Sequence, residues 1–164
     1  MITPHIRKAR AGDESAIHEA HMRSIREVCV KDHGEEEIRG WGNRPLGSRW
    51  IDPIKEGDVW VVERNSNIYG LAYIRIFAED GESKAHIHGL YLTPEILGQG
   101  FGYKLAQLMF EKARASGVKS ITLDSTITAH GFYKRLGFTN NGPMRIQEFG
   151  GYPVRGYPML LHLV

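Results

Sequence analysis

The stretch "LTPEILGQGFGYKL", Leu92 to Leu105, decides how the rest of the chain is read. Gly98, Gly100 and Gly102 fall at alternate positions, after an apolar run closed by Pro94 and before a pattern that sets Leu105, Leu108, Met109 and Ala113 on one helical face. Glycine costs a helix about 1 kcal/mol against alanine, so three at its start mark a place where bare backbone is needed. The first N–H groups of a helix lack intrahelical partners and carry the positive end of its dipole. Without Cβ atoms in the way, a pyrophosphate can settle on them. Two common phosphate motifs are excluded. G-x-x-x-x-G-K-[ST] finds no lysine in frame, and G-x-G-x-x-G needs a glycine where Tyr103 or Leu105 stands. Asp124, at a distance that would suit a ribose contact, has no such fingerprint to serve.

Working outward, "KAHIHGLYL" (Lys84 to Leu92) reads as the strand before the glycines, and the helix runs from Phe101 to Ser116, ended by Gly117. "DVWVVERN" (Asp58 to Asn65) and "IYGLAYIRIF" (Ile68 to Phe77) are strands joined by an "NSN" hairpin turn, and "AEDGES" turns into the next strand. "KSITLDS" is a further strand, "AHGFYKRL" a short helix stopped by Gly137, and "GYPMLLHLV" a closing strand. At the front, "IRKA" is a short strand, Asp13 suits an N-cap for a helix to about Lys31, and "EEEIRGW" is a second short helix. Ala16, Ile17, Ala20, Ile25 and Val28 give the first helix its apolar spacing. The strand, long helix, strand order after Lys84 implies a βαβ crossover with adjacent parallel strands. The expected fold class is α+β, one domain over residues 1–164, with a mixed, mostly antiparallel sheet of about six to seven strands and helices on both faces.

The chain has 164 residues, 41% hydrophobic and 24% charged, with a net charge of +2. That is ordinary globular composition, and the scattered basic residues argue against a nucleic-acid partner. No apolar run reaches the roughly 20 residues that span a membrane. The start, "MITPHIRKARAGDE", lacks a signal-peptide pattern, so the expected location is cytoplasmic. The one cysteine, Cys29, agrees with a reducing compartment and reads as a buried small hydrophobe. The acidic clusters "GEEEI" (Gly34 to Ile38) and "AEDGE" (Ala78 to Glu82) are either solvated surface or features that favour a cationic substrate.

"LYLTPEILGQGFGYKLAQLM" resembles motif A, [Q/R]-x-x-G-x-[G/A], of the GNAT superfamily of acetyl-CoA-dependent N-acetyltransferases, here Leu97-Gly98-Gln99-Gly100-Phe101-Gly102. "AHGFYKRLGF" (Ala129 to Phe138) is similar to the family's second signature, A-x-x-F-Y-x-x-x-G-F, at the expected distance downstream. The segment "HMRSIREVCVKDHGEEEIRGW" also looks like a helical region of small bacterial members. Two positions depart from the pattern: Leu97 replaces the opening Gln/Arg, and Thr126 stands where an Asn is frequent.

The resemblance implies transfer of an acetyl group from acetyl-CoA to an amine; direct attack without a covalent enzyme intermediate is expected because Cys29 is near no motif, and no metal is expected because His86 and His88 lack further ligands at a suitable spacing. Backbone N–H groups from Gly98, Gln99, Gly100, Phe101, Gly102 and Tyr103 would hold the cofactor's phosphates, with Leu97 at the same site but without the family's side-chain contact. The pantetheine arm would lie along Leu90, Tyr91 and Leu92, where the family's sheet splays, with Thr126 nearby. Tyr133 matches the tyrosine near the cofactor sulfur, and a phenol can protonate a departing thiolate. Lys134 and Arg135 could reach a CoA phosphate or simply face solvent.

A Lys-like amine, with a pKa of about 10.4, needs a base or water relay. By position His86 stands where some members carry a strand glutamate, and His88, two residues on, shares its face of the strand. Either imidazole suits a base; ordinary strand histidines are the competing reading. His18 and His21 on the first helix are expected at the surface, and Cys29 away from every motif. The acceptor, a small-molecule amine or a peptide or protein amine, should meet the first helices and strand ends, where Arg23, Ser24, Arg26, Trp41 and Trp50 are available. The rival function is a CoA-binding sensor that has lost catalysis. Small members of the superfamily commonly form homodimers.

Overall fold

The computed structural model describes residues 2–164. Its sheet has eight strands: β1 (His5–Lys8), β2 (Val59–Arg64), β3 (Asn67–Glu79), β4 (Glu82–Leu92), β5 (Ser120–Thr126), β6 (Thr139–Asn140), β7 (Arg145–Phe149) and β8 (Tyr152–His162). The order is β1-β2-β3-β4-β5-β8-β6, with β7 also on β8, and only β4 and β5 run parallel. Two hairpins have two-residue turns with positive φ at both positions, Asn65 (52°) with Ser66 (64°) and Asp80 (51°) with Gly81 (78°). That turn matches the right-handed twist of its strands. β6 and the β7–β8 hairpin were not foreseen; "RIQEF" is short and mostly exposed, so its alternation carries little hydrophobic signal.

Period-two alternation assigns the two faces. Val59, Val61 and Leu71 point toward α1 (Glu14–Ser24) and α3 (Ile51–Lys55), packing with Ile17, Ala20, Trp50 and Ile54. Trp60, Val62, Ala72 and Ile74 point the other way, onto Leu105, Ala106, Met109 and Phe110 of α4 (Phe101–Ala115). The fold is mixed α+β with helices on both faces, as expected.

The first helical segment is less regular than its sequence implied. α1 passes into a π turn, Ile25–Cys29, and then into α2 (Val30–Trp41), which breaks at Gly34 (φ 81°) into two pieces. Those pieces correspond to the expected long helix and the "EEEIRGW" helix. Ala16 is exposed, whereas Ile17, Ala20 and Ile25 are buried. Asp13 occupies the N-cap position without capping. Its carboxylate instead binds the Arg7 guanidinium (2.7 Å) and the Arg10 N–H (2.8 Å), so an ion pair to β1 outcompetes the helix terminus.

What positions the site is the way β4 leaves β5. The parallel pairing holds only at Ala85↔Ile121, His86↔Thr122 and Ile87↔Leu123. β4 stays on β3 as far as Leu92↔Gly70, and β5 stays on β8 as far as Thr126↔Gly156, so beyond Ile87 the two strands are held apart by their outer partners. A bulge lies at this point. Tyr73 faces Gly89 and Ile74 faces Ile87, leaving His88 as the extra residue, and a bulge bends its strand.

Candidate active site

Three adjoining spaces run through the split sheet. The first is a cleft of about 380 Å³ between the glycine loop, the end of β4 and the π turn. The second is a narrow slot between β4 and β5, walled by His88, Leu90, Tyr91, Asp124, Thr126 and Tyr133. The third, on the far side, is a cavity of about 180 Å³ lined by His21, Arg44, Arg49, Trp50, Tyr73, His88, Tyr91 and Phe149. Cleft and slot share Leu90, Tyr91, Thr126 and Ala129; slot and cavity share His88 and Tyr91.

Of the residues singled out in the sequence, Leu90, Tyr91, Leu92, Leu97, Gly98, Gly100, Gly102, Tyr103 and Thr126 all line the cleft. Gln99 does not; its amide donates to the Glu95 carbonyl at 3.0 Å. Phe101 turns into the core. The three glycines serve two purposes. Gly98 (φ 72°) and Gly100 (φ 87°) adopt left-handed backbone, and the space where a Cβ would stand is empty to 4 Å. Gly102 has ordinary backbone but lies against Phe132, whose ring would be 3.2 Å from an added Cβ, so it is there for packing. α4 starts with no side-chain cap and no acidic residue in its first turn, leaving its first N–H groups available to an anion. Arg135 reaches the same cleft.

Ser24 donates to the Leu92 carbonyl at 2.9 Å and ties α1 to the end of β4. The π turn brings Val28 and Cys29 into the cleft wall. Cys29 is buried, as expected, but it is not remote from the motifs. Burial pushes its thiol up to about 12, so it stays protonated and inert at neutral pH.

Tyr133, on α5 (His130–Arg135), is 5% exposed, held edge-on between Phe132 and Phe138, and forms part of the slot wall. Burial raises its phenol well above the usual range and keeps the proton on. Thr126 receives the Ala129 N–H at 3.0 Å and so anchors the turn into α5.

The two strand histidines separate in role. His88, the bulge residue, faces both slot and cavity and stacks on Tyr73 with ring centres 4.9 Å apart. His86 lines none of the three spaces; its Nδ1 meets the Thr122 hydroxyl at 2.8 Å, and its Nε2 lies 3.8 Å from Asp124. Their rings touch edge to face at 4.7 Å. Loss of water, then His86 and Arg75, push His88 down to about 4; burial lowers His86 against the pull of Asp124. Both therefore lie below the ordinary imidazole value.

On the cavity side the sequence reading needs correction. His21 is buried, not at the surface, packed on Tyr91 (4.3 Å) and Trp50 (6.1 Å). His18 is half-buried and joins Arg49 to the Arg44 carbonyl. Arg23 pairs with Glu27 and Glu95, and Arg26 with Glu19, so neither lines the cavity, and Trp41 is buried in a separate cluster. Arg44 and Arg49 were missed. The available signal was two arginines in "GNRPLGSRW", a loop whose partners lie far away in sequence. The acidic clusters lie elsewhere: Asp80 is at a hairpin tip, and Glu37 binds Arg155. Among the described residues no three His, Cys, Asp or Glu side chains converge as metal ligands do, and no helix is long and apolar enough to cross a membrane.

A sheet split between parallel strands, with a glycine-started helix on one side and a buried tyrosine at the split, defines an acyl-transfer architecture. The chain belongs to the acetyltransferase (GNAT) family, whose sequence model matches residues 18–138, and it is an acyltransferase. It is similar to the uncharacterized N-acetyltransferase YafP of Escherichia coli, 22% identical over 147 residues, covering 90% of this chain and 89% of that protein. In structure it matches a GCN5-related N-acetyltransferase from Rhodopseudomonas palustris with a TM-score of 0.80 at 20% identity, over 98% of this chain and 96% of that one. It also matches the PaiA N-acetyltransferase of Thermoplasma acidophilum, solved in complex with coenzyme A, with a TM-score of 0.71 at 20% identity over 98% and 99% of the two chains.

Proposed function

We propose that residues 1–164 act as one domain that transfers an acetyl group from acetyl-CoA to a primary amine by direct attack in a ternary complex. The observation that carries this reading is the slot: it joins an anion-ready cleft to a separate cavity, and Tyr133 stands in its wall. The cleft suits acetyl-CoA, because uncapped N–H groups from Gly98 to Tyr103 and the Arg135 guanidinium offer a pyrophosphate what Leu97 does not. The edge of β4 from His88 to Leu92 has no partner on β5, so its backbone is free to pair with the amides of a pantetheine arm. Thr126 holds the turn opposite.

Bound there, acetyl-CoA supplies the thioester carbonyl. The amine, entering from the cavity, arrives without its extra proton. Its nitrogen forms a bond to the carbonyl carbon as the bond from carbon to sulfur breaks. Tyr133 gives a proton to the departing sulfur and regains one from the nitrogen through water, so the count closes. His88, held near 4, cannot retain a proton taken from an ammonium at neutral pH; as a neutral imidazole it orients water that carries that proton out. His86 positions His88 through their ring contact.

Titrating acetyl-CoA into the protein by calorimetry, then following free-thiol release with amines, tests the reading. Tyr133→Phe should lower kcat by about 100-fold, the scale of general acid catalysis, while acetyl-CoA binding persists. Turnover unchanged by that substitution would remove Tyr133 as the acid. Binding with no thiol release on any amine would make the chain a CoA-binding module instead.

A further inference from the structure

The loop "GNRPLGSRW", Gly42 to Trp50, delivers two guanidinium groups to the cavity beyond the slot. Most half-buried cations of this chain have carboxylate partners, as Arg7 has Asp13 and Glu63 and Lys112 has Asp58; Arg64, at the end of β2, lies over the Tyr69 ring instead. Arg44 and Arg49 have none among the described residues, although both are half-buried. Arg44 spends only its Nε, on the Trp41 carbonyl at 3.0 Å. Arg49 donates to His18 Nδ1 at 2.8 Å, and its Nε is buried with no partner. His18 in turn donates to the Arg44 carbonyl at 2.9 Å, so the two arginines are braced as a unit. His21, 8% exposed and lining the same cavity, has both ring nitrogens buried without a partner.

Two desolvated cations side by side repel each other and lose hydration; such groups are ordinarily retained only with a counter-charge. Their strain is legible in Arg49, which burial and then Arg44 push down to about 10. We propose that the missing counter-charge is carried by the acceptor: the amine that this site acetylates bears its own carboxylate, which Arg44 and Arg49 bind. This rests on the transferase reading above.

Planar guanidinium forks bind a carboxylate in a bidentate manner. His21, kept neutral by burial, has one N–H to add. The remaining walls, Trp50, Tyr73, Tyr91 and Phe149, are aromatic and suit an apolar side chain. The substrate class is therefore a small amino acid with an apolar or aromatic side chain. A polyamine would bring further cations to two unpaired ones, and a lysine side chain within a peptide has no carboxylate to offer them.

The test compares each acid with its own amide: L-phenylalanine against L-phenylalaninamide and L-leucine against L-leucinamide, with spermidine and a lysine-containing peptide alongside. Thiol release from acetyl-CoA is followed with wild-type protein, Arg44→Gln and Arg49→Gln. The acids should be favoured in kcat/KM by roughly 10- to 100-fold, the scale of a hydrogen bond to a charged group. Either substitution should collapse that ratio toward one, chiefly through KM for the acid. Amides, spermidine or the peptide used as well as the acids would overturn the proposal, as would an acid preference untouched by both substitutions. Calorimetry with acetyl-CoA separates the two readings. Normal acetyl-CoA binding without acid preference removes the acceptor proposal alone, whereas no acetyl-CoA binding removes the transferase reading with it. If no amine turns over, the same pairs are titrated against CoA-saturated protein. Acid binding lost in both variants upholds the carboxylate site at Arg44 and Arg49 even if the transferase reading falls, and equal heats for acid and amide overturn it.

Discussion

His86 and His88 show how far two similar residues two positions apart can diverge. Sequence placed both on one face of a strand; the bulge opposite Tyr73 and Ile74 turned one into the slot and left the other on Thr122. The expected kinetic consequence is unequal. His88→Gln should lower kcat by about 10-fold or more, whereas His86→Gln should act more weakly and through His88. Because His88 lies near 4, kcat/KM should rise with pH along the amine's own deprotonation, with no inflection from His88 between pH 5 and 8. His88→Gln should lower that curve without moving it along the pH axis, which a pH–rate profile of both variants checks; an inflection near 6.5 abolished by His88→Gln would show a titrating base instead. The glycines carry the same lesson. Three looked alike in the sequence, yet left-handed backbone demands two of them, and Phe132 demands the third.

At the scale of elements, the cleft depends on a helix that is not regular. The π turn inserts an extra residue per turn and places Val28 and Cys29 in the cleft wall. α2 beyond it is fastened to β8 chiefly by Glu37. That carboxylate accepts the Arg155 backbone N–H (2.5 Å) and Nε (3.0 Å) and stands 3.2 Å from His33 Nδ1. His33 Nε2 in turn receives the Ile127 N–H at 3.1 Å, which links α2 to the turn after β5. Removing one acceptor from such a half-buried cluster leaves donors unsatisfied at a cost of about 1–3 kcal/mol. Glu37→Ala should therefore lower the unfolding free energy by that amount, read as a lower urea midpoint with an unchanged m value, and should weaken acetyl-CoA binding by loosening the wall. An unaltered midpoint would show that this contact does not hold α2 in place.

For the whole molecule, burial sets a pH dependence of stability. His18, His21, His33 and His86, all buried or half-buried, have lowered pKa values, each with loss of water as the leading cause. Unfolded, these groups take up protons near 6.5; folded, they do so only at lower pH. The unfolded chain thus binds more protons below about 6.5, and stability falls with pH there. Asp13, Glu37 and Glu95, with carboxyls held below their usual range, extend the loss further into acid. The melting temperature should be level above pH 7 and drop as pH falls from 6.5 toward 4.5. His21→Gln should flatten part of that slope, because burial without a partner for either ring nitrogen holds its imidazole well below the usual range. An identical slope in the variant would contradict this.

What the sequence by itself determined was whatever depends on near neighbours. The hairpin turns at Asn65 and Asp80, the alternating strands, the α4 face and the glycine start of that helix follow from residues a few positions apart, where sterics and periodicity act directly. The site residues between Leu90 and Tyr103, with Thr126 and Tyr133, were singled out through the resemblance of two short motifs to a known family, and all but Gln99 and Phe101 line the cleft or the slot. Only the tertiary structure decided the rest. His21 is buried because Trp50 and Tyr91 close over it, Cys29 joins the cleft because a π turn faces β4, and His88 parts from His86 because β3 and β8 hold two strands apart. Arg44 and Arg49 become a pair without a counter-charge only when their loop folds over His18, on a helix some way back in the chain. Desolvation and charge pairing are properties of what surrounds a group in space, and no local pattern in the sequence encodes them.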